Sequence, residues 1–229
     1  MGASVHWTLL NIGTLGQNRL WGETTRRRPH ICTMTALRSG NLTILVDPSR
    51  DPKDMPRYLD NACGIAPAQV DFVFLTHFHG DHRRGIEAFP SATWLMADDE
   101  IAYWWEHTRD DTPEGALLDR LERADDRLAD GIELLPTPGH TPHHTGLRVE
   151  AEDSLRVIVA GDAILSRAHY LARQPYADKA HWDTALRTMD QVVADSDIVI
   201  PGHDNYFCTH LLPQNRAEAA HSLAGVKRG

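Results

Sequence analysis

Short apolar runs rich in β-branched residues recur along the chain, each closed by turn-forming residues. They fall at Val5–Leu10, Ile31–Leu37, Leu42–Val46, Phe72–Leu75, Thr93–Met96, Ile132–Leu135, Leu147–Val149, Val157–Val159 and Ile198–Ile200. Runs of this length and composition predict strands. Between them lie segments with a helical period. Asp54–Ala62 puts Met55, Tyr58 and Leu59 on one face. Asp81–Phe89, Asp98–Glu106 and Glu114–Leu128 also read as helical. Trp182–Val193 spaces Ala185, Leu186, Met189, Val192 and Val193 along one stripe. Strands come first, then a helix-rich middle, then strands again. The expected fold class is α+β, two sheets packed face to face with helices outside, a four-layer αββα sandwich. Residues 1–229 are expected to form a single domain with a helical insertion at about 98–130.

Composition narrows the function classes. A hydrophobic fraction of 41% over 229 residues is enough to bury a real core. The net charge of -9 repels phosphate backbones, which argues against nucleic acid as a partner. No apolar run is long enough to span a membrane. Cys32, Cys63 and Cys208 are odd in number and far apart, so a reducing cytoplasm is the expected location rather than a disulfide-forming compartment. The start, Met1-Gly2-Ala3-Ser4-Val5-His6-Trp7, lacks the basic and apolar regions of a signal peptide. His6 also stands where myristoylation needs Ser or Thr. Arg26-Arg27-Arg28-Pro29 is a basic run that reads either as a solvated loop or as an anion-binding element.

The histidines change the picture. There are 14, and several sit in short Gly-, Asp- and Pro-rich stretches directly after strand-like runs. Phe72-Val73-Phe74-Leu75-Thr76 leads into His77-Phe78-His79-Gly80-Asp81-His82. Three imidazoles and a carboxylate within six residues would repel and desolvate badly without a cation. In an extended segment His77 and His79 point the same way. Gly80 then turns the chain, so that Asp81 and His82 can serve a second ion. Three further strand-like runs end in potential ligands, at His140 in Thr137-Pro138-Gly139-His140-Thr141, at Asp162 after Gly161, and at His203 after Pro201-Gly202. If these strand ends share one edge, His77, His79 and His140 can take one ion, and Asp81, His82 and His203 another. Asp162 has two oxygens and can bridge. Imidazole and carboxylate donors suit zinc.

These motifs resemble the metallo-β-lactamase superfamily over nearly the whole chain. H-x-H-x-D-H corresponds to His77, His79, Asp81 and His82, T-P-G-H-T to His140, G-D to Asp162 and P-G-H to His203. The resemblance implies two zinc ions, with iron or manganese as alternatives, and a metal-dependent hydrolase that uses metal-activated water. Asp81 would be the catalytic carboxylate that orients the nucleophile or passes a proton to the leaving group. Asp47 resembles the family aspartate that orients a ligand histidine, and capping a turn is its alternative role. His144 resembles the histidine that supports the metal histidines, although His143 stands where the family has glycine. Aspartate at position 162 is similar to the glyoxalase II and lactonase branch, and points to a small-molecule carboxylic ester, lactone or thioester. The lactonases' tyrosine three residues after that aspartate is Leu165 here, with Tyr170 the nearest tyrosine. Only 26 residues follow His203, too few for the helical glutathione-binding domain of glyoxalase II. A phosphodiesterase, or a non-hydrolytic di-iron redox or metal-binding member, is the alternative. Tyr103, Trp104 and Trp105 can line an apolar acyl pocket, or pack the insertion onto the sheet, or close a homodimer interface.

Overall fold

The computed structural model describes residues 4–213, so the myristoylation reading at Met1–Ala3 lies outside the described residues. One sheet takes its strands in the order β1 (Val5–Asn11), β2 (Met34–Ser39), β3 (Leu42–Val46), β4 (Phe72–Phe74), β5 (Thr93–Met96) and β6 (Glu122–Arg123). The other is ordered β12 (Phe207–Cys208), β11 (Ile198–Pro201), β10 (Arg156–Gly161), β9 (Thr145–Glu150), β8 (Ile132–Pro136) and β7 (Arg127–Ala129). Side-chain alternation explains how each sheet is covered on both faces. In β3, Ile44 and Val46 face the other sheet, while Leu45 faces the helices. In β10, Val157 and Val159 join the inter-sheet core, while Ile158 and Ala160 meet the helix on the far side.

The outer layers are amphipathic helices. Met55 and Leu59 of α1 (Met55–Cys63) and Leu118 of α4 (Pro113–Asp119) bury against Leu45, Val73, Trp94 and Met96 of the first sheet. Met189 and Val192 of α6 (Trp182–Ala194) cover Leu135, Ile158 and Val199 of the second. This is the four-layer αββα arrangement.

All nine predicted strands form, with ends shifted by a few residues. The helices differ more. The predicted Asp81–Phe89 helix is a four-residue turn, α2 (Gly80–Arg83), followed by a 3-10 turn at Ile86–Ala88. Gly85 explains the break, because its N–H is held by Pro48 O at 2.6 Å and a Cβ there would lie 2.4 Å from Arg50 O. Within 98–130, α3 (Asp98–His107) and α4 form as helices, but the Glu114–Leu128 pattern stops at Asp119. Pairing of Leu95 with Glu122 and of Arg127 with Glu133 draws the next residues into the sheets. Tertiary pairing overrides local helical preference there. A short helix, α5 (Arg167–Leu171), carries no predicted pattern. None of the described helices is long and apolar enough to cross a membrane.

Candidate metal centre

Parallel pairing brings the ligand-bearing ends together. Strands β10 and β11 run parallel with Gly161 opposite Pro201, so Asp162 and His203 leave at the same end. Strands β3 and β4 run parallel with Val46 opposite Phe74, which sets Asp47 beside the start of the His77 loop. Thr145 N donates to Thr76 O at 3.1 Å and ties the two sheets at this edge.

Three ring nitrogens converge on one point. His77 Nε2 lies 2.8 Å from His79 Nδ1, and His140 Nε2 lies 3.0 Å from the same atom. Hydrogen bonds on the far side of two rings fix the tautomers. Thr76 Oγ1 gives its proton to Asp47 Oδ2 at 2.9 Å, so at 3.1 Å it accepts from His77 Nδ1–H. His140 Nδ1–H donates to Tyr176 O at 2.7 Å. Both Nε2 atoms therefore present lone pairs toward His79, which can donate to one of them at most.

A second group adjoins the first. His82 Nδ1 donates to Asp47 Oδ2 and His203 Nδ1 to Ile31 O, each at 2.9 Å, which points both Nε2 atoms into the site. Each of these lies 3.3 Å from Asp162 Oδ1, while Asp162 Oδ2 lies 3.3 Å from His140 Nε2. Asp162 thus sits between the groups with one oxygen toward each. Asp81 Oδ2 faces His203 Nε2 at 3.4 Å and His82 Nε2 at 3.9 Å. All seven predicted residues gather here.

The residues fit a bound cation on a direct test. Asp81 Oδ2, His82 Nε2, Asp162 Oδ1 and His203 Nε2 are buried with no hydrogen-bond partner. Four orphaned polar atoms pointing at one another would be costly unless something positive sits among them. Electrostatics agree. Burial, reinforced by the neighbouring rings, holds His77 well below the ordinary histidine range and His79 at about 4, so both are ready as neutral ligands. Burial alone would raise Asp162, but the charges of His203, His82 and His140 overcome it and hold the carboxyl well below its usual range. Burial also opposes charge on His82 and His203, yet Cys32, Asp162 and Asp47 raise the first, and Asp162 and Asp81 the second, above the ordinary value.

Backbone at two strand ends is specialised for this packing. Gly161 has φ +48, and a Cβ there would lie 2.7 Å from Thr76 Oγ1. A Cβ at Gly202 would lie 2.0 Å from Asp162 Oδ1. Asp47, with φ 52, takes the same left-handed region without being glycine. Its carboxylate accepts from Thr76 N at 2.9 Å as well as from the Thr76 hydroxyl and His82, so it orients a ligand rather than capping a turn. His144 is fully buried and its Nδ1 meets Thr137 Oγ1 at 2.7 Å. Its ring lies 5.0 Å from that of His77, and it bonds none of the seven residues.

Three contributors escape sequence reasoning. His30 lies on the loop between β1 and β2, and its Nδ1 accepts from Gly16 N at 3.0 Å. That leaves an Nε2–H 3.1 Å from Asp81 Oδ2, a close charge contact outside hydrogen-bond geometry, and the ring stacks on His203 at 4.7 Å. Nothing in the sequence around a lone histidine after proline signals this. His169 lines the cavity, and burial holds it neutral, with a pKa of about 4. Ser166 Oγ accepts from His169 N at 3.2 Å and lies 2.7 Å from His169 Nδ1. The hydroxyl proton has no other acceptor among the described residues, so it goes to Nδ1, and Nε2 carries the ring proton. The signal was a helix-capping serine three residues earlier. Glu100 is fully buried and accepts from Trp104 Nε1 at 2.8 Å and Thr141 Oγ1 at 2.9 Å, which ties α3 to the His140 loop.

A cavity of about 860 Å³ opens over His79, Asp81, His140, Asp162 and His203. Beside it a cleft of about 720 Å³ is lined by Tyr103, Trp104, Tyr176 and Trp182. The aromatic triplet divides, with Trp104 and Trp105 packing against the first sheet's core while Tyr103 and Trp104 face the cleft.

Comparison with known proteins gives a consistent result. The family description "Metallo-beta-lactamase superfamily" matches residues 27–203. An N-acyl homoserine lactonase of Bacillus cereus is 27% identical over 146 residues, which make up 62% of this chain and 58% of that protein. The chain therefore spans less than two thirds of the length of that lactonase. Metallo-beta-lactamase domain-containing protein 1 of Xenopus laevis is 33% identical over 171 residues, covering 72% of this chain and 67% of that protein. Among solved structures, a Bacillus thuringiensis AiiA variant with N-decanoyl-L-homoserine bound at its active site matches with a TM-score of 0.67 and 19% identity. That match covers 89% of this chain and 94% of the other, and it speaks to the fold.

Proposed function

The chain belongs to the metallo-β-lactamase superfamily, and on that premise we propose that it is a zinc-dependent hydrolase of a carboxylic ester, lactone or thioester with a dinuclear centre. The observation that carries this reading is the placement of Asp162, one oxygen toward His140 and the other toward His82 and His203. His77, His79 and His140 would hold one ion, and Asp81, His82 and His203 the other, with Asp162 shared. When bound, the two ions supply Lewis acidity and bring the acidity of water into the neutral range.

The chain's own residues do the rest. The His30 ring sets its Nε2 3.1 Å from Asp81 Oδ2. Asp81 Oδ1 has no protein partner among the described residues, and it orients the attacking water and carries a proton to the leaving group. Where a tyrosine would polarise the carbonyl, the buried Leu165 offers nothing. His169 Nε2–H can take that role, as a neutral donor facing the cavity toward the developing oxyanion. The aromatic cleft suits an acyl chain. The lactonases among the relatives support a lactone as one candidate bond. Free thiols at Cys32, Cys63 and Cys208 fit a cytoplasmic setting.

The test is metal analysis of the purified chain, then a panel of acyl lactones, thioesters and phosphodiesters with and without chelator. Two zinc ions per chain, with acyl-bond cleavage lost on chelation and restored by zinc, are expected. Cleavage of phosphodiesters alone would replace this reading with a phosphodiesterase, and two irons without hydrolysis would replace it with a non-hydrolytic member. Turnover that survives chelation would overturn the metal mechanism.

A further inference from the structure

The chain is acidic overall, with net charge -9, yet arginines collect at the mouth of the metal cavity. Arg19, Arg26, Arg83 and Arg84 all line it. Their surroundings differ. Arg83 is already engaged, since Nε donates to Phe78 O at 3.0 Å, the guanidinium covers the Phe78 ring at 4.4 Å, and Nη2 pairs with Glu114 at 3.5 Å. Arg26 uses only Nε, donating to Arg28 O at 3.3 Å, which leaves the terminal fork unpaired among the described residues. Arg19 and Arg84 have no side-chain hydrogen bond or ion pair among the described residues, and both are exposed.

The basic run is therefore two things at once. Arg28 pairs with both oxygens of Glu23, donates to Leu15 O at 3.1 Å and lies over Trp21. Glu23 Oε2 also accepts from Asn18 N at 2.7 Å. This buttress folds the 15–30 loop so that Arg26 stands over the cavity. The acidic groups on the same rim are Glu114, which Arg83 engages, and Glu87. Among the described residues, three guanidiniums remain without an anionic partner beside a cavity that holds the candidate reaction centre. A neutral ester or lactone would leave all three without partners. An oxyanion presents the paired acceptors that a guanidinium fork matches.

We propose that Arg19, Arg26 and Arg84 form an anion subsite at the cavity mouth, and that the substrate carries a second oxyanion, a carboxylate or phosphate, several atoms from the bond that is cleaved. The proposal rests on the hydrolase reading for the reaction, but the subsite itself can be tested by binding alone.

The experiment uses the zinc-reconstituted full chain and titrates hexanoate, adipate and 6-phosphonohexanoate by calorimetry. All three offer one carboxylate to the metal centre, and only the last two offer a second anion. The dianions should bind about tenfold tighter than hexanoate at low salt, and the advantage should shrink at high salt, because each exposed pair contributes only a modest factor. In the Arg26→Gln/Arg84→Gln double variant, and further with Arg19→Gln, the advantage should fall to about parity while hexanoate affinity holds. Preference for adipate or for the phosphonate assigns the anion. Equal affinities in the parent chain, or an advantage that survives all three substitutions, would overturn the subsite. Mono-4-nitrophenyl adipate and 4-nitrophenyl hexanoate are assayed in parallel. Arginine-dependent adipate binding without cleavage of either ester sinks the hydrolase reading and keeps the subsite. Equal binding with cleavage of both esters does the reverse.

Discussion

Gly202→Ala tests whether the space around Asp162 is as tight as the metal reading needs. Gly202 does not have a left-handed backbone, so alanine is acceptable there on conformational grounds. The obstacle is contact alone. The new Cβ would start 2.0 Å from Asp162 Oδ1 and 3.0 Å from the carbonyl carbon of Gly161. The backbone has little room to recoil, because Gly202 N donates to Gly161 O at 2.8 Å and Gly202 O accepts from Thr33 N at 2.6 Å. The carboxylate must therefore move by about 1 Å to escape, a displacement of the size that costs about 100-fold in rate when it misplaces a reacting group. Such a move would change its spacing to His82 and His203, the two rings it faces at 3.3 Å. Metal content by mass spectrometry should fall from two ions per chain to one or fewer, with far-UV circular dichroism unchanged. Retention of both ions, with the parent's affinity and turnover, would refute the shared-carboxylate geometry.

Three further outcomes follow from the same contacts. Asp47→Ala strips the acceptor from Thr76 N and His82 Nδ1 inside the fold, and denaturant unfolding should register a loss of about 2–4 kcal/mol, more than Asp47→Asn loses. His169 is neutral when folded, with a pKa of about 4 against 6.5 unfolded, so its contribution is complete above pH 6.5 and drains away as pH falls toward 4. In metal-free protein, acidification from pH 7.5 to 5.5 should cost the parent about 1 kcal/mol more than His169→Gln, and equal losses would contradict a buried neutral ring. His82 and His203 are both raised above the ordinary value, so a cation that binds there competes with protons. The calorimetric heat of zinc binding should accordingly vary with the ionisation enthalpy of the buffer, with net proton release, and a buffer-independent heat would count against it.

The strands were legible because each is a run of buried residues whose alternation serves two different cores, as Ile44, Leu45 and Val46 do. Such runs survive any register, so pattern alone finds them. Helix lengths were less legible, since what stops them is distant. Gly85 is pinned by Pro48, and Glu122 is claimed by Leu95. That the candidate donors converge could be read because they are crowded after strands, in an arrangement that is unfavourable without a cation. His30 and His169 could not, because each is one imidazole whose role depends on a partner supplied by the fold: Gly16 N fixes one tautomer and Ser166 Oγ the other. Glu100 sits in a helix's acidic first turn, where nothing local sets it apart, yet it is fully buried and anchors the His140 loop through Thr141.

The arrangement also explains why strain collects at the strand ends. Converging seven donors requires loops that approach more closely than side chains ordinarily allow. The chain meets this with a left-handed aspartate at 47, a left-handed glycine at 161 and a glycine at 202 that leaves no room for a methyl group. Such backbone is unfavourable by itself and persists only where the surroundings over-determine it. Here parallel pairs in both sheets, together with the Thr145–Thr76 link between them, hold the loops from both sides. The donors are thus fixed before any ion arrives, with four polar atoms already stripped of partners. A site prepared in this way pays its desolvation on folding rather than on binding, which favours tight and geometrically selective capture of cations. By the same logic, if the site binds metal, added zinc should raise the midpoint of thermal unfolding, and an unchanged midpoint would count against metal binding as part of what holds the loop edge of the sandwich together.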